Sequence, residues 1–322
     1  MKKKKIITGV AGFVGFSTCR KILEKKGAVV GIDNLNDYYD VEIKKSRLRI
    51  LKKYKNFIFL NLDLRNQKNL FDRLKKYKFE SIFHFAAQAG VRHSLLKPKD
   101  YIENNIEVTF NILELCKMKK IKHLILASTS SVYGFTKNKK IDESLNTDKP
   151  LQFYAATKKS CELMAHSYSN IYGIKVSVLR FFTLYGPWGR PDMALFKFTK
   201  GILQKKFISV FNHGDHARDF TYIDDAVRAI MLIEKLKFFK NELYRTFNVG
   251  NGESVKLKKY INEIEKNLNL KAKINYLPMQ LGDVKKMLSD NSKLSKFKEF
   301  KKRTNYKVGV KKFIDWYRDY YN

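Results

Sequence analysis

The stretch Ile6-Ile7-Thr8-Gly9-Val10-Ala11-Gly12-Phe13-Val14-Gly15 decides the fold. Its first three residues form a short apolar strand. Three glycines follow at once, and the chain then continues as a helix to about Lys26. Ala28-Val29-Val30-Gly31-Ile32-Asp33 is a second strand that ends in an acid. Strand, glycine turn, helix, strand and acid make the first unit of a dinucleotide-binding fold. Glycines let the backbone approach a pyrophosphate at the helix N-terminus, where free N–H groups and the helix dipole attract the anion. Asp33 lies 24 residues after Gly9, about where a carboxylate accepts hydrogen bonds from ribose hydroxyls. Asn34 rather than an arginine follows it, so NAD is expected over NADP.

The alternation continues outward from this unit. Residues 57–60 read as a third strand, with Asp63 just past its end, and 67–77 as a helix. Residues 81–85 are a fourth strand leading to Ala86-Ala87-Gln88-Ala89-Gly90, small residues that let the chain pass close to a bound cofactor. A long helix is expected over 98–118, a fifth strand over 123–127 with Thr129 just past its end, a helix over 152–172 and a sixth strand over 176–180. This pattern predicts an α/β fold, a Rossmann-type doubly wound parallel sheet covered on both faces. Ligands of such sheets bind at the carboxyl ends of the strands. After Arg180 the rhythm changes to an aromatic, turn-rich segment and then to mixed helices and short strands. The expected organisation is an NAD-binding domain over 1–180 and a smaller substrate lobe over 181–322, interleaved with the first.

A candidate catalytic group stands out. Thr129-Ser130-Ser131-Val132-Tyr133-Gly134 is a hydroxyl-rich run, and Tyr154-Ala155-Ala156-Thr157-Lys158 follows 25 residues after Thr129. Tyr154 and Lys158 are i and i+4, so on a helix they share a face. An ammonium near the phenol favours phenolate and lowers the tyrosine pKa from about 10. Such a tyrosine can take a proton from a sugar hydroxyl, with Thr129 hydrogen-bonded to the same hydroxyl. An amphipathic helix with a surface tyrosine and lysine is the plainer alternative. The hydroxyl run and the nucleotide-binding start argue against it.

Composition sets the outer bounds. At 322 residues and 44% apolar, the chain buries a sizeable core. Its formal charge is +34, from lysines scattered along nearly every surface helix rather than gathered in one block. No nucleic-acid partner is therefore expected; the basic surface suits an anionic nucleotide sugar. Cys19, Cys116 and Cys161 read as reduced core thiols of a cytoplasmic protein. Lys2 to Lys5 resemble the start of a signal peptide, but a glycine turn follows instead of an apolar run, so no export is expected. No run reaches the roughly 18 apolar residues of a membrane span. His213 and His216 flank Gly214-Asp215, which reads as a turn, and no metal site is expected.

The glycine turn, Asp33, the Thr129 loop and Tyr154/Lys158 together resemble the extended short-chain dehydrogenase/reductases, over essentially the whole chain. Within that family the chain is most similar to the NAD-dependent nucleotide-sugar epimerases that act on UDP-glucuronate. The similarity is carried by residues 33–40, by Gln88-Ala89-Gly90-Val91-Arg92, and by Phe181-Phe182-Thr183-Leu184-Tyr185-Gly186-Pro187-Trp188-Gly189-Arg190-Pro191-Asp192-Met193. Arg218-Asp219-Phe220-Thr221-Tyr222 and Met279-Gln280-Leu281-Gly282-Asp283 add to it. The resemblance implies that Gly9, Gly12, Phe13, Val14, Gly15, Asp33, Asn34, Asp63, Leu64, Ala86, Ala87, Gln88, Asn104, Tyr154, Lys158 and Phe182 surround NAD. It implies that Thr129, Tyr154 and Lys158 are catalytic. Ser130, Ser131, Thr183, Arg190, Arg218, Gln280 and Asp283 would hold the UDP-sugar. Leu281 stands where the family usually has proline, and Asn291 where an apolar residue is usual. The implied reaction inverts C4 of UDP-glucuronate to give UDP-galacturonate through a 4-ketone, with NAD regenerated each cycle. A homodimer through the helices at 98–118 and 152–172 is also implied. The rivals are UDP-glucuronate decarboxylases, sugar-nucleotide dehydratases, other UDP-sugar 4-epimerases and, from a different class, a nucleic-acid-binding relative.

Overall fold

The computed structural model describes residues 3–136, 140–240 and 242–321; Lys2, in the basic N-terminal run, lies outside them. The first six strands are β1 (Lys4–Thr8), β2 (Val29–Asp33), β3 (Phe57–Asn61), β4 (Phe79–His84), β5 (His123–Thr129) and β6 (Lys175–Phe181). With Tyr244–Val249 they form one seven-stranded sheet in the order Tyr244–Val249, β6, β5, β4, β1, β2, β3. β1 pairs parallel with β2 and β4, β2 with β3, and β4 with β5. Ile6, Val30, Ile82, Leu124 and Val178 from successive strands share one buried cluster with Ile112 and Cys161 from the covering helices. The expected parallel α/β sheet is thus the architecture observed.

Three elements depart from the expected pattern. Thr129 is the last residue of β5, not a residue beyond it, and its extended backbone (φ −145°, ψ 148°) leads into a 3₁₀ turn at Ser130–Tyr133. The helix expected over 98–118 is interrupted: Pro98–Tyr101 is α-helical, Ile102–Glu107 is π-helical, and Val108–Met118 is α-helical again. A further helix, Val41–Leu51, follows β2, with Asp40 capping it through a hydrogen bond from the Glu42 N–H. Its buried face includes Lys44, Ser46 and Arg47, so it lacks a clean apolar stripe.

The chain divides into two compact units. The first comprises Met1–Gly134, Asn146–Arg180 and Ile230–Phe247. The second comprises Phe135–Leu145, Phe181–Ala229 and Asn248–Asn322. In the second, Ala217–Tyr222 is the middle strand of a three-stranded sheet, between Ser254–Lys256 and Thr183–Tyr185. Phe207–Phe211 and Lys273–Leu277 pair parallel beside it as a separate two-stranded sheet. Packing in this unit is strongly aromatic: Phe220 stacks on Tyr260 at 3.9 Å, and Trp188 meets Trp316 at 5.2 Å and Tyr320 at 5.0 Å. Cys19, Cys116 and Cys161 are buried and unpaired. Among the described residues no helix is long and apolar enough to cross a membrane.

Candidate active site

The glycine turn is shaped by close approach. Gly9 has φ +66°, and a Cβ there would lie 2.8 Å from the Ala86 nitrogen. At Gly15 a Cβ would lie 2.1 Å from the Gly9 carbonyl oxygen. Neither position takes a side chain without moving backbone. The helix that follows, Phe13–Glu24, has no side-chain N-cap and no acid in its first turn, so its first N–H groups suit an anion. Asp33 is fixed by the N–H groups of Ala11 and Leu35, both at 2.9 Å, one to each carboxylate oxygen. Each oxygen keeps a lone pair for a ribose hydroxyl. This cradle of absent side chains and a fixed acid fits the pyrophosphate and ribose of a dinucleotide.

Other residues expected near NAD, Phe182 excepted, belong to the same unit. Arg65 beside Asp63 holds that carboxyl below its usual range, and Arg65 also reaches Glu103. The Leu64 carbonyl accepts from Asn111 at 2.9 Å, and Asn104 donates to the Asp100 carbonyl at 2.8 Å. Gln88 is locked by Asn105, which accepts from the Gln88 N–H at 2.8 Å and donates to its carbonyl at 3.1 Å. Asn105 sits in the π-helical stretch Ile102–Glu107 and also donates to the Thr157 hydroxyl at 3.0 Å. Ala86 lies over Thr8, whose hydroxyl accepts its N–H at 3.1 Å. That hydroxyl accepts from Phe85 as well, so its own proton goes to His84 Nδ1 at 2.7 Å. His84 then donates from Nε2 to Thr109, and Thr109 donates to Cys161. Burial, with a smaller effect of Lys158, lowers the His84 pKa to about 3 and keeps the ring neutral.

Thr129, Tyr154 and Lys158 all belong to the first unit. Thr129 is buried; its hydroxyl accepts from the Ser131 N–H at 3.1 Å and lies 3.2 Å from the Ser131 hydroxyl. Tyr154 is the second residue of helix Phe153–Tyr172, where the dipole favours a developing phenolate. Its ring meets that of Tyr101 edge-to-face at 6.0 Å, and Tyr101 is in turn held by the Gly90 carbonyl at 2.5 Å. Lys158 is 2% exposed. Burial lowers its pKa, and Cys161 and Glu162 oppose that shift.

The residues expected at the nucleotide sugar, except Ser130 and Ser131, belong to the second unit, as does Phe182, whose N–H donates to the Val249 carbonyl at 3.1 Å. Thr183 opens the strand that pairs parallel with Ala217–Tyr222. Arg190 forks onto Asp192 at 2.9 and 2.5 Å. Arg218 donates to Asp283 at 2.6 Å, and the Asp283 N–H reaches the Gln280 carbonyl. Thus Arg218, Gln280 and Asp283 are joined in one arrangement. Next to Arg218, Asp219 is fully buried and accepts from the N–H groups of Asn251, Gly252 and Ser289 and from the hydroxyls of Ser289 and Thr221.

Several residues here carry no short motif. Arg47 is fully buried and donates to the Ala11 carbonyl at 2.8 Å and the Tyr39 hydroxyl at 2.9 Å, tying helix Val41–Leu51 to the glycine turn. His216 reaches the second oxygen of Asp283 at 3.5 Å. Glu162 continues the i, i+4 series of Tyr154 and Lys158, a signal readable from spacing alone.

A sheet of this topology, a glycine cradle with its acid, and a hydroxyl–tyrosine–lysine group define a dinucleotide-dependent enzyme class. The chain matches the NAD dependent epimerase/dehydratase family over residues 6–250, and it belongs to that family. A UDP-glucuronate 4-epimerase of Thermodesulfobacterium geofontis (strain OPF15) is 42% identical over 315 residues, covering 98% of this chain and 96% of that protein. UDP-glucuronate 4-epimerase 4 of Arabidopsis thaliana is 41% identical over 331 residues, covering 98% of this chain and 76% of its own length. The fold is similar to that of a UDP-glucuronic acid 4-epimerase from Bacillus cereus, solved in complex with UDP-glucuronic acid and NAD. The TM-score is 0.91 at 33% identity, covering 98% of this chain and 99% of that one. The family resemblance read from the sequence motifs is borne out, and with it the expected cofactor, NAD.

Proposed function

We propose that this chain is an NAD-dependent UDP-glucuronate 4-epimerase. The observation that carries the reading is the end of β5. Thr129 leads into Ser130 and Ser131, hydroxyls with no acid between them, in the unit that also bears Tyr154 and Lys158. Elimination of water from the sugar needs a paired acid and base, and this loop supplies neither. The full-length similarity to proteins named as UDP-glucuronate 4-epimerases supports the same reading.

The first unit would hold NAD on Gly9, Gly12, Gly15 and Asp33. When bound, NAD supplies the acceptance of hydride from C4 and its return. The chain's own work is proton handling. Tyr154 takes the 4-hydroxyl proton and later gives it back, and Thr129 orients that hydroxyl. The second unit would hold the nucleotide diphosphate through Arg218, with Gln280 and Asp283 beside it. Ser130, Ser131 and Thr183 would hydrogen-bond the C6 carboxylate without adding charge, and Arg190 would add a charge-assisted contact.

Retention of that carboxylate tests the assignment. Once C4 is a ketone, the C6 carboxylate is β to it and is lost readily if the C5–C6 bond aligns with the ketone π-system. UDP-glucuronate labelled with carbon-13 at C6 should give labelled UDP-galacturonate. Thr183→Ala, alone or with Ser130→Ala, should slow this and release labelled carbon dioxide. Main release of label by the unaltered protein would replace the epimerase reading with a decarboxylase.

The same reading makes the protein a cytoplasmic homodimer. Its unpaired buried thiols suit a reducing compartment. Phe110 and Met118 on helix Val108–Met118, and Leu163 (58% exposed) and Ile171 (68% exposed) on helix Phe153–Tyr172, are apolar side chains left in solvent on two helices that pack together. Sedimentation should give twice the mass of one chain, and Leu163→Glu/Ile171→Glu should reduce it to one; a monomeric unaltered protein would sink this part.

A further inference from the structure

Glu162 lies one helical turn beyond Lys158 and two beyond Tyr154 on the same face of helix Phe153–Tyr172. Both Glu162 and Arg180, near the end of β6, are buried. Nε and Nη2 of Arg180 donate to the two oxygens of Glu162 at 3.0 and 2.7 Å, a bidentate pair. The Ser128 hydroxyl donates to Glu162 Oε1 at 2.5 Å, and Ser128 immediately precedes Thr129 in β5. The Arg180 guanidinium also lies 4.8 Å from the ring centroid of Tyr133, which ends the 3₁₀ turn after Thr129. One carboxylate therefore ties together the helix bearing Tyr154 and Lys158, the strand end bearing Thr129, and β6. A core gains nothing in stability from such a pair over apolar residues of the same volume, because both charges must leave water.

We infer that Glu162 is a positioning residue: it clamps the Thr129 strand end to the helix of Tyr154 and sets a fixed negative charge beside the Lys158 ammonium. This rests on the proposed roles of Thr129, Tyr154 and Lys158. The groups around Lys158 are Tyr154, Cys161 and Glu162 on its own helix, His84 on β4, and Arg180 on β6 behind Glu162. His84 is held neutral and burial pushes the Cys161 thiol up, whereas both oxygens of Glu162 are paired with the Arg180 guanidinium. Burial drives Lys158 toward its neutral form, and Cys161 and the Glu162 carboxylate oppose that.

Glu162→Gln alone leaves Arg180 buried and unpaired and can fail to fold. The test is therefore the double variant Glu162→Gln/Arg180→Met, in which both charges leave and the amide still accepts from Ser128. It is compared with the unaltered protein, both NAD-bound, by NAD content, melting, and kcat and KM for UDP-glucuronate across pH. The expected result is unchanged NAD content and KM with kcat lower by about tenfold to a hundredfold, the scale of a misplaced catalytic group. The alkaline fall of kcat should also move to lower pH, because Lys158 has lost the charge that opposes its deprotonation. A residue that only supported the fold would lower the melting temperature and leave the profile in place. Parental kcat and pH profile in a folded, NAD-bound double variant overturn the inference. If the unaltered protein does not turn over UDP-glucuronate, the proposed activity fails on its own. The inference is then judged on the lysine, with carbon-13 at lysine Cε and the Lys158 signal identified by its loss in Lys158→Arg. That signal should titrate at lower pH in the double variant, and an equal midpoint overturns it.

Discussion

Tyr154→Phe should cut turnover of UDP-glucuronate by about 10²-fold or more, the scale of losing a general base, while the protein keeps its fold, NAD and affinity for substrate. The substitution removes one oxygen and leaves the ring. The edge contact with Tyr101 at 6.0 Å is therefore preserved, and so are the hydrogen bonds of Tyr101 to the Ala89 and Gly90 carbonyls. The backbone of Tyr154 still accepts from the Thr157 hydroxyl at 2.8 Å, so the first turn of the helix is untouched. What disappears is the phenol oxygen near the helix N-terminus that is proposed to take up and return a proton. Substrate binding by equilibrium dialysis and turnover by NMR separate the two effects. Near-normal turnover with intact binding would falsify the role given to Tyr154.

The second large effect is on stability. Asp219→Ala should destabilise the second unit by about 3 kcal/mol or more, because the buried N–H groups of Asn251 and Ser289 lose their acceptor and the Gly252 N–H keeps only the Ser289 hydroxyl. Those donors belong to separate chain segments at Asn251–Gly252 and Ser289, and all are held to the strand Ala217–Tyr222. Asp219→Asn keeps the shape and one acceptor oxygen, so its cost should be smaller. The readout is local by good fortune: the two tryptophans of the chain, Trp188 and Trp316, both lie in the second unit and pack together. Urea unfolding followed by their fluorescence should show the midpoint falling in the order unaltered, Asn, Ala. An alanine variant with an unshifted midpoint would mean that these donors find other partners.

Much of the sheet is legible in the sequence for a plain reason. Strands buried on both faces appear as short apolar runs, and Ile6-Ile7 and Val29-Val30 are such runs. The glycine turn is legible because its constraint is steric and admits one residue type. Helix Val41–Leu51 is harder to see, since Lys44, Ser46 and Arg47 occupy its buried face and hide the apolar period. Two of these are buried because polar partners wait for them inside. Lys44 donates to the Asn36 carbonyl and side chain, and Arg47 donates to the Ala11 carbonyl. The π-helical stretch is invisible for another reason. It changes the hydrogen-bond ladder by one residue and leaves composition unaltered, yet it places Asn105 against Gln88 and Thr157. In the candidate site, Tyr154 and Lys158 announce themselves by spacing. Glu162 continues that spacing, but its meaning depends on Ser128 and Arg180, which lie on other strands.

The order in which the chain leaves the ribosome carries a cost set by its connectivity. Strand Tyr244–Val249 borders β6 at the margin of the main sheet, and residues 230–247 belong to the first unit although 181–229 belong to the second. A nascent chain that has emerged as far as residue 180 has β1 to β6 but an open border on β6. It also lacks Glu234, one of two carboxylates paired with Lys5, and Arg245, which donates to Ser177. An uncovered strand border is a template for pairing with other chains. The first unit therefore cannot close until most of the second has been made, and its growing chain stays exposed to misassembly for that interval. For the same reason one cut cannot release either half intact: a gene split at residue 180 separates a sheet from its last strand rather than one domain from another.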